Sequence, residues 1–163
     1  MTIDAHTFQS QTMSHLSWLL ERFVEREPGT QSAFLASSDG ILLAQANLPH
    51  NQAEAAAALV ASMYSLARGV NQLTPQPHGH AQVLQVVTEL NTTTLFLMVA
   101  GDGLPHGVRV QVGADASKVS SILGVLAAPD ADVRAIGHQM TTMIRSVAEH
   151  LVTDARHIAD ESR

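Results

Sequence analysis

Apolar residues recur along this chain with two different periods, and the switches between those periods order its elements. Leu16, Leu19, Leu20, Phe23 and Val24 fall at three-four spacing and predict one buried stripe of a helix. Glu21, Arg22, Glu25 and Arg26 face away from it. Ser14 is the expected cap, and Pro28-Gly29 ends the helix after Glu27. Residues 1–12 lack this periodicity and read as a loose tail ahead of a domain spanning 13–152.

The run from Gln31 to Ser37 is unbroken in its apolar centre, Ala33 to Ala36, and predicts a strand covered on both faces. Asp39-Gly40 supplies a tight turn with positive φ, and Ile41 to Ala46 returns as the second strand. Pro49 and Asn51 mark the break before a second helix over Gln52 to Leu73, some 22 residues and roughly 33 Å long. Gly69 weakens its last turn.

After the loop Pro75 to His80, two β-branched runs, Val83 to Leu90 and Thr93 to Ala100, predict a second hairpin joined at Asn91-Thr92. Ile122 to Ala127 is a further short strand. Asp130 is the expected cap of a last helix whose stripe is Val133, Ile136, Met140, Met143, Ile144, Val147 and Leu151. That helix is expected to fray beyond Val152, leaving 153–163 as a second tail. The order is helix, two strands, helix, three strands, helix. Short hairpins imply an antiparallel sheet with helices covering its faces, an α+β architecture.

Composition narrows the function. The 163 residues suffice for one core that buries roughly two thirds of the unfolded surface. Net charge is −6, Lys118 is the single lysine, and the eight arginines are scattered. A nucleic-acid-binding face needs clustered cations to neutralise phosphates, so no nucleic acid partner is expected. With no cysteine, disulfides, thiolate metal sites and a cysteine nucleophile are excluded. The N-terminal stretch has no signal-peptide pattern, and no apolar run approaches the ~18 residues of a membrane span. A cytoplasmic chain without membrane insertion is the expectation. Charged residues are only 15%, which points to apolar surface shared with a partner or a second copy.

Motifs for chemistry are sparse. His78-Gly79-His80 places two imidazoles in one loop, but zinc needs three or four ligands, so solvated histidines are expected. Turn chemistry accounts for Asp102 between two glycines. His138 lies off the apolar stripe of the last helix and reads as a surface histidine. Gly101-x-Gly103 lacks the third glycine and helix start of a dinucleotide site, and there is no GxxxxGK[ST] loop, no GxSxG elbow and no SxxK nucleophile. No catalytic, cofactor-binding or metal-ligating residue is therefore assigned. The rivals to a protein-binding role are a small-ligand sensor of similar helix–sheet layout, marked by an apolar pocket with converging polar groups, and a hydrolase, marked by a strongly perturbed acid or base.

Five segments in order carry a family resemblance: LSWLLERFVEREPG (Leu16 to Gly29), SSDGILLA (Ser37 to Ala44), SLARG (Ser65 to Gly69), LFLMVAGDG (Leu95 to Gly103) and LGVLAAPDADV (Leu123 to Val133). Over about Leu16 to Leu151 the chain resembles the Roadblock/dynein-light-chain family in its bacterial branch. The resemblance implies an α-β-β-α-β-β-β-α fold with a five-stranded antiparallel sheet between helices. It also implies a non-enzymatic homodimer that regulates or scaffolds a small Ras-like GTPase. The chain departs from the family pattern at Pro105 to Ser121, about 17 added residues expected to form a loop or an extra strand, since VRVQV (Val108 to Val112) alternates like one.

The second helix carries the functional weight. Ala56, Leu59, Val60, Met63, Ala67 and Val70 form one stripe, Ala55, Ala58 and Ser62 keep a neighbouring face slim, and Leu66 with Leu73 widens the apolar arc. Such an arc suits a buried helix or one shared with a second copy, and the resemblance favours the second. The expected interface residues are Ala56, Leu59, Met63, Leu66, Arg68 and Val70 on that helix, with Val83, Gln85 and Val87 on the third strand. Arg68 suits the helix dipole by itself, and contact with an acidic patch on a GTPase is its functional alternative. Trp18, the only tryptophan, is expected to be buried.

Overall fold

A computed structural model describes residues 5–73, 81–102 and 119–160. Its elements are α1 (Ala5–Arg26), β1 (Thr30–Ser37), β2 (Leu42–Ala46), α2 (His50–Arg68) continued by a 3-10 turn (Gly69–Gln72), β3 (Gln85–Glu89), β4 (Thr94–Asp102), β5 (Ser120–Ala127) and α3 (Val133–Asp160). The strands form one antiparallel sheet in the order β2-β1-β5-β4-β3. The expected α+β fold, a five-stranded antiparallel sheet between helices, is the fold observed.

The sheet divides two apolar layers. Ala33 and Leu35 of β1, Phe96 and Ala100 of β4, and Leu123 and Val125 of β5 pack with Leu16 and Leu20 of α1 and Ile136, Met140 and Met143 of α3. On the opposite face, Phe34, Ala36, Leu95, Leu97 and Ile122 pack with Ala57 and Val60 of α2. The period-two alternation of strands therefore sends apolar side chains into both layers, which is why β1, β4 and β5 read as continuous apolar runs. Each fully buried Leu, Ile or Phe contributes about 1.5–3 kcal/mol by leaving water.

Local chemistry explains the turns. Gly40 N–H donates to Ser37 O at 2.9 Å and Ser37 N–H to Ile41 O at 2.8 Å, so Ser38, Asp39 and Gly40 form a three-residue loop, one longer than a minimal hairpin. Gly40 adopts φ +92°, the left-handed region that glycine tolerates without strain. The Ser37 hydroxyl donates to the Asp39 carboxylate and accepts from Ile41 N–H, which fixes the loop on one buried side chain. The second hairpin turns at Asn91-Thr92 as expected, with Leu90 N–H donating to Thr93 O at 2.9 Å.

Several boundaries differ from expectation. Helix α1 starts at Ala5, so residues 5–12 are helical. Ser14 lies inside the helix, and its hydroxyl donates to Ser10 O at 2.8 Å instead of capping. The cap of α3 is Asp132, whose Oδ1 accepts from Arg134 N–H at 2.9 Å and Ala135 N–H at 3.1 Å, two residues after the expected Asp130. That helix runs on to Asp160. The α-helical part of α2 ends at Arg68, and Gly69 opens the 3-10 turn. Strand β5 begins at Ser120, so the end of the expected insert, Ser120-Ser121, belongs to the sheet. Its VRVQV segment and the His78-Gly79-His80 loop lie outside the described residues.

Trp18 is 50% exposed rather than buried. It stacks on His15 with ring centroids 5.8 Å apart, and the Arg22 guanidinium lies 5.5 Å from the indole centroid. The stripe Leu16-Leu20-Val24 occupies the sheet-facing side of α1, so a residue two positions from Leu16 and Leu20 is rotated out of the core.

Candidate interaction surface

Helix α2 is the sole helix on its face of the sheet among the described residues, and it seats Ala53, Ala57, Val60 and Ala61 there. Small side chains at three of these four positions bring its axis close to the strands. The seating stripe is rotated about one residue from the expected stripe. Ala56 and Met63 are half-buried at the flank of the core, whereas Leu59, Leu66 and Val70 face outward. Leu66 is 77% exposed and Leu73, just past the 3-10 turn, 81%. Between Glu54 and Arg68 every outward residue of α2 is uncharged: Ala55, Ala58, Leu59, Ser62, Ser65 and Leu66.

Among the described residues, strand β3 lies at the end of the sheet and pairs only with β4. No described strand takes up the backbone donors and acceptors of its other edge. Val86 turns into the α2 layer and joins the strand to the helix side. Val87 points to the opposite layer and is 38% exposed. The Gln85 side chain lies in that same layer, its amide near where a side chain at Gly137 of α3 would begin. Val83 precedes the strand and is half-buried. The structure thus places Leu59, Leu66 and Val70 on one open face, while Gln85 and Val87 sit across the sheet from it. Leu84 and Leu90, which bracket β3 and are both exposed, were not singled out by the sequence; their flanking positions in a β-branched run were the only signal.

Arg68 projects from the last turn of α2 with its guanidinium 5.9 Å from the Tyr64 ring centroid. His138 is exposed on α3, as expected. Among the described residues no group of three or more His, Asp or Glu side chains is placed to hold a metal ion. No described helix is long and apolar enough to cross a membrane.

The Roadblock/LC7 domain family matches residues 16–105. The chain belongs to the Roadblock/LC7 family. Its fold matches a Roadblock/LC7 domain from Streptomyces avermitilis at 32% identity and TM-score 0.66, covering 83% of this chain and 97% of that one. It also matches Myxococcus xanthus MglB at 12% identity and TM-score 0.62, covering 86% and 97% of the two chains. The gliding protein MglB of Thermus thermophilus matches at 18% identity and TM-score 0.62, covering 85% and 89%. No curated protein matches the chain. The family match ends at Pro105.

Proposed function

We propose that this Roadblock/LC7 protein is a non-enzymatic homodimeric regulator or scaffold that binds a small Ras-like GTPase in a bacterial signalling system. The observation that carries the reading is the uncharged outer face of α2, with Leu59, Leu66, Val70 and Leu73 open to solvent beside an edge of β3 that no described strand pairs. Four large apolar side chains left in water on one helix and its extension mark a surface completed by another molecule. A second copy meets both needs at once. Helix faces lined by Ala55, Ala58 and Ser62 approach closely, and two β3 edges pair through their open backbone groups. A solved MglB structure shows that protein in a tetrameric arrangement, which fits association as a habit of the fold. Arg68, at the end of the same helix, is the proposed contact to the GTPase.

Two measurements test the reading. Sedimentation at micromolar concentration is expected to give a dimer, and a monomer would remove the first half. A pull-down against a GTPase encoded beside this chain, loaded with GDP or GTP, is expected to favour one state. Equal capture of both would remove nucleotide-dependent regulation.

A further inference from the structure

Asp39 is followed by Gly40, whose backbone nitrogen no side chain of its own shields. That pairing permits a rearrangement that needs no reactant other than water. The Gly40 nitrogen attacks Asp39 Cγ, the N–Cγ bond forms, and the carboxyl OH leaves as water with the amide proton. The cyclic imide reopens when water adds to either carbonyl. Cleavage at the former α-carbonyl gives an isoaspartyl linkage, with the main chain running through Cγ and a free α-carboxylate. Cleavage at Cγ restores aspartate, and neither route oxidises or reduces any atom.

In the native loop a single residue engages both reacting groups. Gly40 N–H donates to Ser37 O at 2.9 Å, so the nucleophile's proton is held. The Ser37 hydroxyl donates to the Asp39 carboxylate and accepts from Ile41 N–H at 2.9 Å. Ser37 is fully buried at the end of β1, which fixes the clamp in the sheet. Next to it, Ser38 N–H donates to Ser120 O at 2.8 Å, and Ser38 Oγ accepts from Ser120 N–H at 3.0 Å. The loop also rests on α2: a β-carbon at 40 would lie 3.6 Å from Ala58 Cα and 3.8 Å from Ala61 Cβ. Attack therefore requires the Gly40–Ser37 bond to break and the carboxyl group to turn from Ser37 to the Gly40 nitrogen, a local opening of the hairpin.

We propose that Asp39 is a site of isoaspartate formation, reached only when the Ser37 clamp opens. The product adds a carbon to the main chain inside a three-residue loop. The two bonds that close that loop, Gly40 N–H to Ser37 O and Ser37 N–H to Ile41 O, are then not both kept, and the β1–β2 end loosens. The reaction depends neither on self-association nor on a GTPase.

Incubating the full chain for weeks at neutral pH, native and in urea, tests this. Isoaspartate is counted by enzymatic carboxyl methylation. Electron-transfer fragmentation places it, separating residue 39 from Asp102, which is also followed by glycine. Residue 39 is expected to convert at least about tenfold faster in urea than in the native chain. Ser37→Ala is expected to raise the native rate by about tenfold, as loss of a hydrogen bond to a charged group does. Ser38→Ala, which removes a tie to β5 but neither Ser37 bond, is expected to raise it less. In the parent, the rate at 39 is expected to rise in step with hydrogen exchange of the Gly40 and Ile41 amides as urea is added below the unfolding transition. That series decides the matter should Ser37→Ala fail to fold. The proposal is overturned if the native chain converts as fast as the unfolded one, or if the rate stays flat while those amides exchange faster. Folded Ser37→Ala converting at the parent rate, or Ser38→Ala matching it, overturns it equally.

Discussion

Phe34 and Gly124 are register partners on β1 and β5, and the phenyl ring of Phe34 occupies the space a side chain at 124 would need. A β-carbon at 124 would fall against Phe34 Cζ and lie 2.6 Å from Cε2. Phe34 is fully buried, so its ring has nowhere to withdraw. Gly124→Ala is therefore expected to destabilise the fold by about 1–3 kcal/mol, the usual cost of overpacking. Thermal unfolding measures this, and Phe34→Leu in the Gly124→Ala background is expected to recover part of the loss. An unchanged melting temperature for Gly124→Ala would show that the ring is not held there.

Asp132 satisfies two of the orphan amides at the start of α3. Asp132→Ala is expected to cost about 1 kcal/mol in urea unfolding, while Asp132→Asn retains most of the stability. Asp130→Ala, at the position the sequence favoured, is expected to change little.

The self-association surface predicts a separation of effects. Leu59→Glu and Leu66→Glu place charge on the open face of α2 without touching the seating stripe. Both are expected to shift the sedimentation coefficient to that of a monomer at micromolar concentration. Trp18→Glu, in the α1–α3 layer, is expected to leave the dimer intact. Dimers that survive both leucine changes would relocate the interface.

Arg68→Ala is expected to weaken GTPase capture in a titration while leaving the chain folded, because exposed substitutions of this kind stay within about 0.5 kcal/mol. Unchanged capture would end the contact assignment.

Trp18 gives a direct optical check. As the only tryptophan it reports alone, and at half exposure its fluorescence is expected to be quenched readily by acrylamide. Trp18→Ala is expected to cost about 1 kcal/mol or less, since it loses one exposed cation–π contact and no core packing. A larger loss would mean that the indole is packed in the assembled protein.

Periodicity makes the interior legible and the exterior less so. Leu16-Leu20 and Ile136-Met140-Met143 belong to the core from spacing alone, because a buried stripe repeats every three or four residues whatever it packs against. The phase of α2 is not readable in that way. With alanines at positions 53, 55, 56, 57, 58 and 61, several rotations present nearly equal apolar faces, and only packing on Phe34, Leu97 and Ile122 selects the one through Ala57 and Val60. Trp18 departs from expectation for a related reason. Composition argues for burial of a lone indole, but the helix phase set by Leu16 and Leu20 turns it out, where His15 and Arg22 receive it.

The sequence by itself determined the order of elements, the antiparallel hairpins and the family, since each rests on local periods, turn residues and motifs within about 30 residues of one another. The tertiary structure decided which apolar residues remain in water and which segments meet at the β3 edge. Those outcomes depend on contacts between segments far apart in the chain, such as Asn71 drawing Ala81 away from β4 and α3 crossing beneath the same edge. A local pattern states that a side chain is apolar or charged, and only the packing of distant elements states what it faces.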